Sequence, residues 1–236
     1  MILIHDRRLP VEYKEELVKE LPGWELIPFG PSESGMYDSI SCHPDMWFFR
    51  INAGTVAHAP ALPRGIMTVL EESGMDLLRG ESDPSGKYPE TSRYNAARVG
   101  KRILHNIKYT DPVILKKARE DGIEMIDVTQ GYTGCSIVPA GEEALITADR
   151  GIAARAASAG LEAMLIDPGH VELPGHEHGF IGGASGIMPD GTVFFLGDLS
   201  TRPDKDMIIS FLERQGTEHI YIRDLPLFDA GGLFFF

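Results

Sequence analysis

Apolar and polar positions follow a unit that recurs along the chain. A short extended segment is followed by a second apolar strand, a polar turn, an amphipathic helix and a third strand. The plainest copies lie in the second half. One reads GYTGCSIV (131–138), ALITAD (144–149), a helix in RGIAARAASAG (150–160) and a strand in EAMLID (162–167). The next reads GFIGGASGIM (179–188), TVFFLGD (192–198), PDKDMIISFLERQG (203–216) and EHIYI (218–222). The same grammar runs backwards through ILHN, DPVILKKAREDG and IEMIDV (103–128), through TVAH, LEESG and MDLLRG (55–80), and through ILIHD, PVEYKEELVKEL and WELIPF (2–29). Second strands end near Asp6, His58, Asn106, Asp149 and Asp198, at intervals of 52, 48, 43 and 49 residues. Helices open on Pro or Asp and stop at Gly, as at Gly122, Gly160 and Gly216.

The first copy lacks an opening strand, while LFDAGGLFFF (227–236) is a strand-like run with no unit of its own. A run of Leu233, Phe234, Phe235 and Phe236 is costly to leave in water. Circular closure resolves both: the last strand completes the first unit. The pattern predicts a single α/β domain over 1–236, a ring of five ββαβ units with strands inside and helices outside. The alternative is a linear α/β sandwich. GESDPSGKYPETS (80–92) reads as a surface loop, either a connector or a lid.

Composition narrows the function. Acids number 35 against 22 Lys and Arg, a net charge of −13, which argues against nucleic acid and anionic membranes as partners and suits a cationic ligand. A hydrophobic share of 43% is that of a globular chain and excludes disorder, collagen and coiled coil. Two cysteines, Cys42 and Cys135, cannot build a disulfide scaffold. With no signal peptide or 18-residue apolar run, a cytoplasmic location is expected.

In a ring of repeats, the residues opening each unit converge on the axis. These are Asp229 in FDAGG, His43 and Asp45 in CHPDM, Asn95 in RYNAA, Cys135 in YTGCS, and Gly182 and Gly183 in FIGGAS. The strand ends add Asp149 and Asp198. Inward carboxylates would grip a guanidinium or ammonium group. Each residue also has a bland reading. Cys135 suits a buried small hydrophobe. His43 and Asp45 share one face of an extended segment, or Pro44 fixes a turn that Asp45 caps. Asn95 either orients a ligand or caps a turn. Asp149 stands where an N-cap belongs, whereas Asp198 precedes a longer approach in which Asp204 or Ser200 would cap. Cys42 and His43, adjacent on a strand, would face apart. Gly182 and Gly183 form no phosphate loop, and close backbone approach explains them.

The motifs HPDM, QGYTGCS, ITADRGIA, GFIGGASG and FLGDLS, with five ββαβ units, resemble the pentein fold of arginine deiminases, amidinotransferases and dimethylarginine hydrolases, in a bacterial branch of that superfamily. The resemblance implies a cysteine nucleophile, a histidine acid and base, acids around a guanidinium, and no metal or organic cofactor. Carried over, it makes Cys135, His43, His176 and Asp198 the catalytic candidates. Asp45, Asn95, Asp149, Asp229, Gly182, Gly183 and Ser185 are the substrate-binding ones. Penteins place the cysteine shortly after a Gly-Gly turn in the last repeat; here Gly182-Gly183 is followed by Ala184 and Ser185, and the thiol lies one repeat earlier. A non-catalytic pentein that binds a small cation or a protein is the alternative. GHEHGFIGG with FLGDLS also faintly resembles metallo-β-lactamase-like hydrolases, but no HxHxDH run accompanies it, so His176 and His178 are short of a zinc ligand set. They read instead as surface residues, or as an acid and base beside the pocket. The apolar tail hints at a homodimer.

Overall fold

A computed structural model describes residues 1–30 and 35–236. The first unit holds β1 (Ile2–Asp6), α1 (Val11–Glu20) and β2 (Glu25–Phe29). The second holds β3 (Phe48–Asn52), β4 (Thr55–His58), α2 (Arg64–Glu72) and β5 (Asp76–Arg79). In the third are β6 (Ala97–Val99), β7 (Arg102–His105), α3 (Pro112–Glu120) and β8 (Glu124–Asp127). A single helical turn, α4 (Thr133–Ser136), introduces the fourth, with β9 (Ile137–Pro139), β10 (Ala144–Thr147), α5 (Arg150–Ser158) and β11 (Glu162–Leu165). The fifth has β12 (Ser185–Ile187), β13 (Val193–Phe195), α6 (Lys205–Arg214) and β14 (His219–Tyr221), and the chain ends in β15 (Phe234–Phe235).

Every unit makes a three-stranded sheet of one design. The central strand pairs antiparallel with the strand before it and parallel with the strand that follows the helix. Central strands β4 and β10 are buried at every residue, so they read as continuous apolar runs rather than alternating ones. The helices bury a narrow stripe at i, i+4: Tyr13 and Leu17, Ile66 and Leu70, Ile114 and Ala118, Ile152 and Ala156, Ile208 and Leu212. Gly122, Gly160 and Gly216 stop three of them in the left-handed conformation, at φ of 66°, 83° and 67°.

The ring closes as the tail pattern predicts. Strand β15 pairs antiparallel with β1, Leu3 opposite Phe235 and Ile4 opposite Phe234, and Ile2 and Phe236 exchange backbone hydrogen bonds of 2.9 and 3.0 Å. Phe235 is 1% exposed, against Trp24 and Phe194. The tail is therefore spent on closure, with Leu233 and Phe235 buried and Phe234 and Phe236 partly buried. Neighbouring units are also stapled. Arg50 on β3 donates to the Phe235 carbonyl at 3.0 Å, and Arg98 on β6 donates to the Ile51 carbonyl. The 80–92 loop is tied down by Tyr94 Oη, which donates to the Ser82 carbonyl at 2.8 Å, and by Asp111, which accepts from the Glu81 and Ser82 amides.

One local expectation fails. YTGCS is not an extended opening but the α4 turn, and the strand starts only at Ile137. Of the two readings of HPDM, the turn is the one formed: a 3₁₀ turn over Pro44–Met46, whose first position Pro44 presets. Among the described residues, no helix is long and apolar enough to cross a membrane.

Candidate active site

The segments that open the five units meet around the ring's axis. Asn95 anchors the α4 turn. Its carbonyl accepts from the Gly134 amide at 3.0 Å and from Thr133 Oγ1 at 2.9 Å, and its side-chain oxygen accepts from the Cys135 amide at 3.1 Å. Its amide nitrogen then donates to Cys135 Sγ at 3.1 Å. The thiol in turn donates to Asp45 Oδ2 at 2.9 Å. The 3₁₀ turn carries Asp45 inward and leaves His43 one step away, beside Asp229. His43 Nδ1 lies 3.9 Å from Asp229 Oδ1, and Nε2 lies 3.8 Å from Asp6 Oδ2. Asp229 is fixed by the Phe180 and Gly231 amides at 2.9 and 3.0 Å. Asp6 is gripped by Arg8 through its backbone and guanidinium, at 2.6 Å in the shortest contact.

The glycines let these segments converge. A Cβ on Gly182 would stand 2.5 Å from the Gly134 and Cys135 carbonyl oxygens, and one on Gly183 would stand 2.0 Å from Asp229 Oδ1. Gly183 also joins three units, donating to the Cys135 carbonyl at 2.9 Å and accepting from the Ala230 and Gly232 amides at 3.0 and 2.9 Å. Gly231, at φ 68°, presses against the His43 ring, where a Cβ would lie 2.2 Å from that of His43.

The centre is dry and acidic. His43, Asp45, Asn95, Cys135 and Asp229 are all at most 5% exposed. Burial pushes the Cys135 thiol well up, and the nearby Asp45 and Asp229 add to the shift. Burial likewise raises Asp45, with Asp229 and Asp6 contributing. Burial lowers His43, against the pull of Asp229 and Asp6. Burial thus favours the protonated thiol and the neutral imidazole. Among the described residues, His43 Nδ1 and Asp45 Oδ1 are buried without a hydrogen-bond partner. A cavity of about 470 Å³ runs from the hairpin turns at Ala53, Gly100 and Gly141 down to Asp45, Gly134 and Gly182, walled by Phe48, Tyr94 and Phe234.

Of the residues the sequence singles out, Cys135, His43, Asp45, Asn95, Asp229, Gly182 and Gly183 come together here. Ser185 lines the same cavity with its hydroxyl donating to the Gly182 carbonyl at 3.0 Å. The others do not join them. Asp149 caps α5 by accepting from the Ile152 amide at 2.9 Å. Asp198 caps the short turn at Leu199–Thr201, accepting from the Ser200 and Asp224 amides at 2.7 and 3.1 Å, while Asp204 stands at the start of α6 as expected. His176 is exposed and meets Ser39 Oγ at 2.8 Å. His178 turns to the Gly179 carbonyl. Asp6 and Arg8 belong to the site, and Asp6 was legible only as a strand end. For a metal, the described residues gather one suitable group, His43, Cys135 and Asp229, with ligand atoms within 4.8 Å of one another.

This architecture, five ββαβ units around an acidic centre, is the pentein fold. Within it the chain belongs to a family of unknown function (DUF6873), whose model matches residues 4–234. No curated protein matches. Among solved structures the chain is similar to DDAH from Pseudomonas aeruginosa complexed with citrulline, at 12% identity and a TM-score of 0.56, over 94% of this chain and 91% of that one. It is also similar to inosamine-phosphate amidinotransferase from Streptomyces griseus, at 13% identity and a TM-score of 0.54, over 95% and 78% of the two chains. An amidinotransferase of saxitoxin biosynthesis from Microseira wollei matches at 10% identity and 0.52, over 94% and 88%. At these identities the likeness concerns the fold.

Proposed function

We propose that the chain binds a small guanidino or amidino compound at the ring's centre and acts on it as an amidine hydrolase or an amidinotransferase. One observation carries this reading: two buried carboxylates, Asp45 and Asp229, flank a thiol, and among the described residues neither makes an ion pair with Lys or Arg. Buried acids without a cation are costly, and a planar guanidinium supplies both the charge and the paired donors. Bound there, the cation favours the thiolate it displaces from the proton shared with Asp45. Sγ then attacks the amidinium carbon, and a bond forms as the carbon becomes tetrahedral. The neighbouring neutral His43 takes up the thiol's proton as Sγ attacks and passes it to the departing amine as the C–N bond breaks. Water, or an acceptor amine, releases the amidino group from sulfur and restores the thiol. A free nucleophilic thiol of this kind suits the reducing cytoplasm.

A non-catalytic cation binder is the second reading. It is favoured by a thiol that is buried and protonated when the site is empty, and by Ala184-Ser185 after the Gly-Gly turn. The experiment is to offer arginine, methylated arginines and agmatine to the whole protein, measuring binding by calorimetry and ureido product by mass spectrometry. The expected result is binding and turnover of at least one, with Cys135→Ser losing turnover but retaining binding. Asp45→Asn should weaken binding about tenfold or more, the worth of one charged hydrogen bond. Binding without turnover would select the second reading; no binding of any of them would overturn both.

A further inference from the structure

His43 is 2% exposed, and among the described residues neither its Nδ1 nor Oδ1 of the buried Asp45 has a hydrogen-bond partner. Around them lie an S, an N and two carboxylates. His43, Cys135 and Asp229 each bring a ligand atom to within 4.8 Å of the other two, and Asp45 Oδ2 is 2.9 Å from the sulfur. Ligands on a tetrahedral ion with such donors stand about 3.4–3.8 Å apart, so small side-chain rotations complete the geometry. The outer groups are in place as well. The second imidazole nitrogen looks at Asp6, a carboxylate held by Arg8, which is how metal-binding histidines are oriented. Asn95 fixes the sulfur, and two backbone amides fix Asp229. The cavity reaches this group at Asp45, beside the Gly134 and Gly182 backbone.

We propose that His43 Nδ1, Cys135 Sγ and Asp229 form a binding site for a thiophilic divalent cation such as zinc, with Asp45 closing the coordination. Thiolate and imidazole donors select zinc over calcium or magnesium, which take oxygen. As the ion binds, the S–H bond breaks, a sulfur–metal bond forms, and the proton passes by way of Asp45 to water; nothing is oxidised or reduced. Resting on the guanidino reading, one consequence follows: the ion occupies the nucleophile and excludes the substrate, so zinc is an inhibitor that a guanidino ligand displaces.

The test titrates the metal-free whole protein with Co²⁺. One equivalent should give an intense near-ultraviolet thiolate-to-cobalt band with tetrahedral visible bands, and Zn²⁺ should abolish both. Cys42→Ser should keep the near-ultraviolet band, Cys135→Ala should lose it, and His43→Gln should weaken binding about tenfold or more. Should Cys135→Ala fail to fold, X-ray absorption on the zinc-loaded wild type must show one sulfur neighbour. No thiolate band at one equivalent, a band that follows Cys42, or a sulfur-free zinc shell would overturn the site. Adding arginine separates the two proposals: a cobalt spectrum that arginine leaves unchanged refutes the displacement and the shared pocket while the metal site stands.

Discussion

One carboxylate oxygen of Asp45 takes the Cys135 thiol, and the other takes nothing within the described chain. That asymmetry separates this acid from Asp149 and Asp198, each of which accepts from an amide at the start of a helical turn. Sequence alone could not divide the three, because an acid before a helix and an acid facing an axis occupy similar positions in the string. The same limit applies to histidine. Strand register places His5, His58 and His105 at equivalent points of β1, β4 and β7, each buried, although the strand ends legible in the sequence were Asp6, His58 and Asn106. A shift of one residue turns a side chain to the other face. His105 is held by Thr110 Oγ1 and the Gly131 carbonyl at 2.7 and 2.8 Å, and burial lowers its pKa to about 4. A histidine depressed in the folded state from 6.5 binds fewer protons than the unfolded chain. Its contribution is therefore complete above pH 6.5 and is lost as pH falls to about 4, by up to roughly 3 kcal/mol. Urea melts of His105→Gln against wild type should show a shallower fall in stability across that window. An equal slope would deny the shift.

At the scale of elements, the legible part is what periodicity controls. Central strands buried throughout, helices with an i, i+4 apolar pair and glycine stops all follow from the string. The α4 turn does not, since Thr133–Ser136 is shaped by Asn95, about forty positions away, rather than by its own propensity. The Gly182-Gly183 turn was legible as close backbone approach, and its partners show what the approach serves: it lets the α4 turn and Asp229 share one centre. Gly182→Ala forces a methyl to within 2.5 Å of two carbonyl oxygens. It should lower stability by about 2–4 kcal/mol and displace Cys135, as measured by denaturant melts and by loss of ligand binding. A variant as stable as wild type would show that the contact relaxes freely.

Over the whole molecule, closure by β15 brings Asp229 from near one end of the chain to His43, Asp45, Asn95 and Cys135. The tail's run of aromatics made that closure legible. The resulting chemistry was legible only in outline, because which side chains share a proton depends on distances of a few ångströms. Burial and the neighbouring acids hold the Cys135 thiol in its protonated form, and a bound cation favours its ionisation. The direct measurement is the pH titration of Cys135 by NMR, with ¹³C-labelled cysteine in a Cys42→Ser background, with and without a saturating guanidino ligand. The account predicts a thiol that stays protonated well above the ordinary cysteine range when the site is empty, and a midpoint that falls when the ligand binds, with protons released and affinity rising with pH. A midpoint that the ligand leaves unmoved, or raises, would contradict it.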